Sequence, residues 1–398
     1  MPTTIPAKIL AFLKRWLFLG CFVVWFFLSQ LKMTGLGSFL RIPTYNLYQL
    51  SDYTVPILLL VRIVFFQTWS RRQLAAVIAL TAVFAVSAWL AGPWDLLMMW
   101  LFLAAARDQD ADELVKAGYL TLLCATIFVV ISFFLGRIEE VSGTRAQLSL
   151  TRHSWGYGHP NTLGAVVLQL AACRLYLHRN SLRMEDFILT AGAMAFVYAV
   201  PNSQSSAICL LMLLALALIC LVWPRLPQKL RRPLLGCFLP AAVFCNLFTV
   251  FTSLCYRPGG WLEPINELLS TRPSCANRIY SIYGVSLFGR RLARMYTQAE
   301  YNGVSFNMPW LDSSYMSLLL RFGLLSYLSC SALYLLGMRR VRKAGNVMLL
   351  GILAVYAAHA VMETSLYSPQ YNLFPIVMFA ALQPPAHTEI PSHNFIGT

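Results

Sequence analysis

Charge is scarce in this sequence: only 12% of its 398 residues are charged, whereas 58% are hydrophobic. A soluble domain carries about 25% charged residues, so the composition excludes that class and makes a lipid bilayer the expected surroundings. The formal net charge of +15 would point to nucleic acid in a soluble protein. No DNA- or RNA-binding signature accompanies it, and basic loops beside anionic lipid headgroups account for it, so we expect no nucleic-acid partner.

Metal-binding and processing motifs are also absent. The ten cysteines include no C-x-x-C pair, and most lie in apolar runs, where they act as small hydrophobic side chains. We therefore expect neither a metal nor a cofactor. Lys8, Lys14 and Arg15 precede the first apolar run, but no small-residue cleavage site follows it, so we interpret this run as a retained span rather than a removed signal peptide.

Long apolar runs dominate the chain instead. A membrane-spanning helix needs about 20 apolar residues. The sequence predicts an all-α, polytopic integral membrane protein, with residues 1–398 forming one membrane domain and one large extracytoplasmic loop at 255–311 between the ninth and tenth helices. About twelve transmembrane helices are expected, near residues 16–30, 48–67, 74–91, 94–106, 117–135, from 161 onward, 187–200, 207–223, 234–254, 314–336, 347–362 and 373–382.

Basic residues in alternate loops predict the orientation, because cytoplasmic loops carry an excess of lysine and arginine. With both termini in the cytoplasm, the inner loops contain Arg71 and Arg72; Arg107 and Lys116; Arg174, Arg179 and Arg183; Arg225, Lys229, Arg231 and Arg232; and Arg339, Arg340, Arg342 and Lys343. The segment from Arg152 to His159 and the 255–311 loop are then predicted to lie outside.

The predicted outer loops contain arginine with almost no lysine. Arginine recognises phosphate and carboxylate groups in a bidentate manner, whereas lysine acts as a point charge. For any one arginine, pairing with a nearby acid or a lipid headgroup remains an alternative, but for the set we favour one shared anionic ligand. The set comprises Arg137, Arg145, Arg152, Arg257, Arg272, Arg278, Arg290, Arg291 and Arg294.

Polar residues also gather where helices are expected to begin or end. In GHPNTLG, Pro160 forces His159 out of helical geometry, and Asn161 or Thr162 is expected to cap the helix, whose N-terminus would suit an anion. The alternative is an ordinary capped helix start. Asp312 is either an N-cap or a base in a half-dry site. Glu363 needs a partner at its expected depth in the membrane.

Four segments, in order, resemble the Wzy-type polysaccharide polymerases of the O-antigen polymerase and ligase superfamily. GYGHPNTLG at 156–164 resembles G-x-G-H-P-N-x-x-G, and INELLSTR at 265–272, followed by LFG at 287–289, resembles the L-L-S-G-R segment. LDSSYMSLLLRFGLL at 311–325 resembles D-N-S-Y-x-x-L-L-x-x-x-G, and METSLYSPQYNLF at 362–374 resembles the closing E-S-x…N-x-F segment. The chain departs from the family at Gln204, where an arginine is expected, and in its D-S-S-Y and S-T-R variants.

The resemblance implies a metal-independent glycosyltransferase in the bacterial cytoplasmic membrane with an extracytoplasmic active site. It would join undecaprenyl-diphosphate-linked oligosaccharide repeat units into capsule, O-antigen or exopolysaccharide, with a flippase and a chain-length regulator as pathway partners. Asp312 is the expected base for the acceptor hydroxyl, and His159 is the second candidate. The expected substrate-binding residues are Arg152, Arg272, Arg278 and Arg290 for the diphosphate, and Asn161, Tyr315 and Glu363 for the shape of the site.

Two alternatives stay open at this point. A glycan ligase on the same scaffold would transfer finished chains, although that branch usually has a histidine-asparagine pair where this chain has Asp312 and Ser313. A flippase for lipid-linked oligosaccharide would carry charges at mid-membrane, where Arg62 is the clearest example in this chain. The product formed by the purified protein separates these possibilities.

Overall fold

The computed structural model describes residues 7–36, 44–140, 143–145, 150–293, 298–301, 304–307 and 310–381. It is mostly helical, at 73%, as the composition predicts. The first half consists of α1 Ala7–Lys32, α2 Thr44–Phe65, α3 Arg71–Ala91, α4 Asp95–Ala105, α5 Ala111–Phe134, the strands β1 Gly143–Arg145 and β2 Leu150–Arg152, α6 Pro160–Leu177 and α7 Met184–Ala199. The second half consists of α8 Gln204–Val222, a 3₁₀ turn at Trp223–Arg225, α9 Gln228–Leu254, α10 Glu263–Leu268, α11 Arg272–Tyr283, the strands β3 Gln298–Tyr301 and β4 Val304–Asn307, α12 Ser314–Leu320, α13 Leu324–Lys343, α14 Val347–His359 and α15 Phe374–Ala380.

Six helices in the described ranges are long and apolar enough to cross a membrane, which is the pattern of a membrane protein. They cover Lys14–Lys32, Tyr48–Phe65, Arg71–Ala91, Ala111–Phe134, Gln204–Arg225 and Gln228–Leu254. The other predicted spans coincide with shorter or less apolar helices. The number twelve and the orientation therefore stay predictions. The 255–311 segment contains α10, α11 and the antiparallel β3–β4 hairpin.

The predicted tenth span is wrong as a single helix, because the chain breaks between α12 and α13. Gly323 has φ +90°, and a Cβ at this position would lie 2.2 Å from Gly289 N. Two backbone hydrogen bonds join the segment around Gly289 to the segment around Gly323. Arg290 N–H donates to Arg321 O at 2.9 Å, and Leu324 N–H donates to Ser286 O at 2.9 Å. Two glycines thus allow backbone to pack directly on backbone, and the helix ends where they meet.

Arg62 is buried within the bundle and is satisfied by backbone carbonyls. Its guanidinium donates to Ala105 O at 2.9 Å, to Arg107 O at 3.1 Å and to Lys14 O. The amide of Gln67 donates to Ala104 O at 3.2 Å and also to Ala105 O at 3.1 Å. A cation beside the last carbonyls of a helix stabilises its negative end, so Arg62 caps α4.

The candidate site lies at one end of the bundle, where the ends of several helices meet. Helices α6, α8 and α12 begin there, and α14 ends there. The opposite ends of α6, α8 and α14 are next to basic segments that include Arg179, Arg225 and Lys343. The site and the basic loops therefore lie at opposite ends of these helices.

The contact between the two glycines predicts a stability defect. We expect Gly323→Ala to lower the free energy of unfolding by about 1–3 kcal/mol, the usual range for an overpacked position, because the added methyl group has no space beside Gly289. Thermal unfolding of the detergent-solubilised protein, followed by tryptophan fluorescence, measures the effect. Gly192→Ala is the matched control, because a Cβ there would meet nothing within 4 Å. Equal unfolding midpoints for the two variants would contradict the packing argument.

Candidate functional site

A cavity of about 520 Å³ lies where these helix ends meet. Six of the nine residues that the sequence singles out line it: Arg152, His159, Asn161, Arg272, Asp312 and Glu363. They come from β2, from the start of α6, from the start of α11, and from the segments before α12 and after α14. Arg152 and Glu363 are 211 positions apart in the sequence, and they share one site.

Glu363 is the central acceptor of the cavity. Its Oε1 accepts from Asn161 Nδ2 at 3.0 Å, from Ser205 Oγ at 3.0 Å and from the Arg272 guanidinium at 3.1 Å. The side chain is 18% exposed. Burial raises the pKa of the Glu363 carboxyl to about 7, against the lowering effect of Arg272. One oxygen atom thus connects α6, α8 and α11.

Arg272 is the first residue of α11, and its guanidinium is shared by two carboxylates. Thr271 before it has φ +63°, and Pro273 after it suits the first turn of a helix. Its Nε donates to Met362 O at 2.6 Å, which fixes the side chain along the segment that contains Glu363. Asp312 Oδ2 lies 3.8 Å from the guanidinium, farther away than Glu363. Asp312 is therefore the more loosely held acid.

Arg152 supplies the second guanidinium of the cavity. Its Nε donates to Pro201 O at 2.9 Å, and a second nitrogen donates to Asn161 Oδ1. Since Asn161 in turn donates to Glu363, a continuous chain of hydrogen bonds runs from Arg152 through Asn161 and Glu363 to Arg272.

His159 caps α6, so the expectation that Asn161 or Thr162 is the cap is wrong. The ring Nδ1 accepts from Asn161 N–H at 3.1 Å, because Pro160 occupies the first helical position and leaves His159 extended at φ −158°. Burial, together with Arg152 and Arg272, lowers the pKa of this imidazole. The neutral ring therefore carries its proton on Nε2, where it is a hydrogen-bond donor.

Asp312 is not an N-cap, because the neighbouring Ser313 performs that role by accepting from Met316 N–H at 3.5 Å. Ser314 fixes the segment further, donating from Oγ to Glu363 O at 2.6 Å. The Asp312 side chain is left 34% exposed at the cavity wall. Burial raises the pKa of its carboxyl, and Arg272 and Arg321 oppose this change.

Three residues that the sequence singles out lie away from the cavity lining. Arg278 is exposed farther along α11. Arg290 belongs to the glycine contact, where its N–H bonds to Arg321 O. Tyr315 is buried, and its hydroxyl donates to Ala357 O at 2.9 Å, which ties α12 to α14. None of these three side chains lines the cavity.

Ser205, Trp310 and His359 also line the cavity, and they are outside the set of nine. Ser205 contacts Glu363, while His359 contacts Ser365 Oγ at 3.0 Å and Ser206 Oγ at 3.4 Å. The signal for the serines was present in PNSQSSA, where polar residues open an otherwise apolar helix. The signal for His359 is its position four residues before Glu363, a spacing that places two residues on the same face of a helix.

A possible metal-binding group in the described ranges lies at the other end of α6. His178, Glu185 and Asp186 have ligand atoms within 4.8 Å of one another. Arg174 already donates to Asp186 at 2.8 Å and lies 3.4 Å from Glu185, so the group is an ion-pair cluster. The cations of the cavity are instead the guanidinium groups of Arg152 and Arg272.

No protein-family model, curated protein or solved structure matches this chain. The functional argument therefore depends on the side chains. Two guanidiniums, a neutral histidine that donates through Nε2, and a loosely held carboxylate face one cavity. This combination can bind an anion and accept a proton beside it.

The buried carboxylate predicts a pH dependence of stability. Because the folded-state pKa of Glu363 lies near 7, above its ordinary 4.5, the stability that its protonated form confers is fully present below pH 4.5 and is lost as pH rises to about 7. Glu363→Gln mimics the protonated form. As pH rises from 4.5 to 7, we therefore expect the thermal unfolding midpoint of Glu363→Gln to rise relative to that of the wild type.

Unfolding midpoints in detergent across this pH range measure the difference. Glu267→Gln is the control, because Glu267 is exposed on α10 and lies outside the cavity lining. If the Glu363→Gln and wild-type curves stay parallel, Glu363 does not titrate in this range and the burial argument is wrong.

Proposed function

We propose that this chain is a membrane glycosyltransferase of the polysaccharide-polymerase type. Its substrates would be oligosaccharide repeat units linked to undecaprenyl diphosphate, and its product a longer surface glycan. The observation that carries the proposal is the meeting of the resembling segments at one cavity: His159, Arg272, Asp312 and Glu363 come from four separate segments and line the same space. A chance resemblance in one apolar stretch gives no reason for such convergence.

The guanidinium groups support a diphosphate as the bound anion. Arg152 and Arg272 project into the cavity from different elements, each anchored through Nε to a backbone carbonyl. Anchoring fixes the direction of the remaining N–H donors, which favours a ligand with several acceptor oxygens. The Nε2–H of His159 adds a neutral donor beside them. In the proposed reaction these groups stabilise the negative charge that develops on the departing lipid diphosphate.

Asp312 is the base that the geometry favours. A base needs an available lone pair, and Nδ1 of His159 is already occupied by Asn161 N–H. Asp312 is loosely paired, and burial raises its pKa toward the range that suits a base at neutral pH. Glu363 has three donors on one oxygen, which suits a positioning role.

The proposed step is a displacement at the anomeric carbon of the donor sugar. The acceptor hydroxyl oxygen forms the new glycosidic bond while the bond from that carbon to the phosphate oxygen breaks. The diphosphate leaves with the electron pair, and Asp312 takes the hydroxyl proton. Atoms and charge balance without a further reactant, and the cations come from arginine side chains.

The fold supports a membrane setting with the cavity on the outer side. The cavity lies at the ends of α6, α8 and α14 that are remote from the basic segments near Arg179, Arg225 and Lys343. If those segments face the cytoplasm, as positive loops do, the cavity faces outward. Lipid-linked units delivered by a flippase would reach it there, and a chain-length regulator would act on the product.

The first test is Asp312→Asn in the native host, with the surface glycan displayed on a gel and the protein level checked. Loss of the base predicts collapse of the glycan ladder to single repeat units. Asp112→Asn is the control, because it removes an acid that pairs with an arginine, Arg179, at 2.8 Å outside the cavity. An unchanged ladder would remove Asp312 from the mechanism. Long glycan that stays detached from its acceptor would indicate the ligase instead.

The second test is Arg272→Lys. Lysine keeps the charge but carries its donors on a single nitrogen, so it lacks the planar fork by which Arg272 reaches Met362 O and Glu363 through two different nitrogens. We expect polymerisation to fall about a hundredfold or more, the size of effect seen when a preorganised donor is lost. Arg179→Lys is the matched control, since it alters an arginine–carboxylate pair away from the cavity. Equal glycan ladders for the two variants would show that bidentate recognition is not the role of Arg272.

A further inference from the structure

One wall of the cavity differs in chemistry from the rest. Arg152, Asn161, Ser205, Arg272 and Glu363 present charged or hydrogen-bonding groups to the space. Trp310 presents a large aromatic surface, and 40% of this residue is exposed. Because it lines a polar cavity, this indole offers a flat apolar face to a ligand that has a matching face.

The position of the indole relative to the candidate base narrows what that ligand can be. Trp310 precedes Asp312 by two residues, so the Cα atoms of the two residues lie at most about 7 Å apart. Its ring lies 6.3 Å from the His159 ring, with an angle of 65° between the planes. The two rings therefore lie beside each other at the cavity wall in a T-shaped arrangement.

We propose that Trp310 is the platform on which the acceptor sugar ring lies, with a hydroxyl of that ring directed toward Asp312. A sugar ring has an apolar C–H face and a rim of hydroxyl groups. The indole matches the face, and the carboxylate matches the rim. A diphosphate has no such face. In this proposal Trp310 therefore binds the sugar, and the arginines bind the diphosphate. This inference rests on the proposed function, because it assigns one of that reaction's two substrates.

The chain offers a matched control in Trp261. It is 72% exposed and lies in the same 255–311 segment, but its ring packs against Phe251, with 6.1 Å between the ring centroids, and it does not line the cavity. Trp261→Ala therefore measures the effect of losing an exposed indole that lies outside the cavity. Loss of the cavity platform is tested by Trp310→Ala, and Trp310→Phe keeps an aromatic face at the same position.

Binding and turnover are measured separately on the protein in nanodiscs. Binding uses the repeat-unit oligosaccharide, released from host lipid by mild acid and followed by saturation-transfer NMR. Turnover uses the intact lipid-linked repeat unit. For Trp310→Ala we expect about tenfold weaker binding and about a tenfold higher KM, equivalent to one aromatic contact. Its kcat should change little, Trp310→Phe should recover most of the affinity, and Trp261→Ala should match the wild type.

The outcomes distinguish this inference from the proposed function. Equal oligosaccharide binding by Trp310→Ala and Trp261→Ala overturns the platform, whatever the turnover. Binding that depends on Trp310 without extension of the lipid-linked unit supports the platform and overturns the polymerase. A lower unfolding midpoint of Trp310→Ala with unchanged affinity assigns the indole a structural role beside His159 and overturns the inference as well.

Discussion

The arrangement of the site depends on the contact between the Glu363 carboxyl and the Arg272 guanidinium, 3.1 Å apart. A carboxylate among apolar helix ends costs several kcal/mol unless it is paired and hydrogen-bonded. Glu363 meets this requirement with donors from α6, α8 and α11, so three elements are held relative to one oxygen. Arg272 also binds the carbonyl of Met362. The pair therefore fixes both the cavity wall and the segment that carries the acid.

The charges of the cavity also link anion binding to proton transfer. Two guanidiniums face two carboxylates, and Arg272 is divided unequally between them, 3.1 Å from Glu363 and 3.8 Å from Asp312. In the proposed reaction a diphosphate competes for this guanidinium. Asp312, the more distant partner, loses its counter-ion first, so its affinity for a proton increases. Binding of the donor would thus prepare the base for the acceptor hydroxyl.

Sequence reasoning located a residue of the cavity where a side chain needs a partner that its sequence neighbours cannot supply. Glu363 needed a partner at its depth, and the structure supplies Arg272. Arg152, Asn161 and Asp312, which the resemblance assigns to the site, also line the cavity. Capping was mistaken because adjacent candidates compete. Pro160 moved the cap of α6 back to His159, and Ser313 displaced Asp312 at α12, so both displaced side chains remain directed to the cavity.

Hydropathy could not reveal the break between α12 and α13, because the break depends on a contact between Gly289 and Gly323, 34 residues apart. Arg290 lies at this contact, where its N–H donates to Arg321 O, and it is not part of the cavity lining. Tyr315 is likewise used to tie α12 to α14. The resembling segments thus mix two kinds of residue. Glycines and Tyr315 bring the helix ends together, and the charged residues then have a common space in which to act.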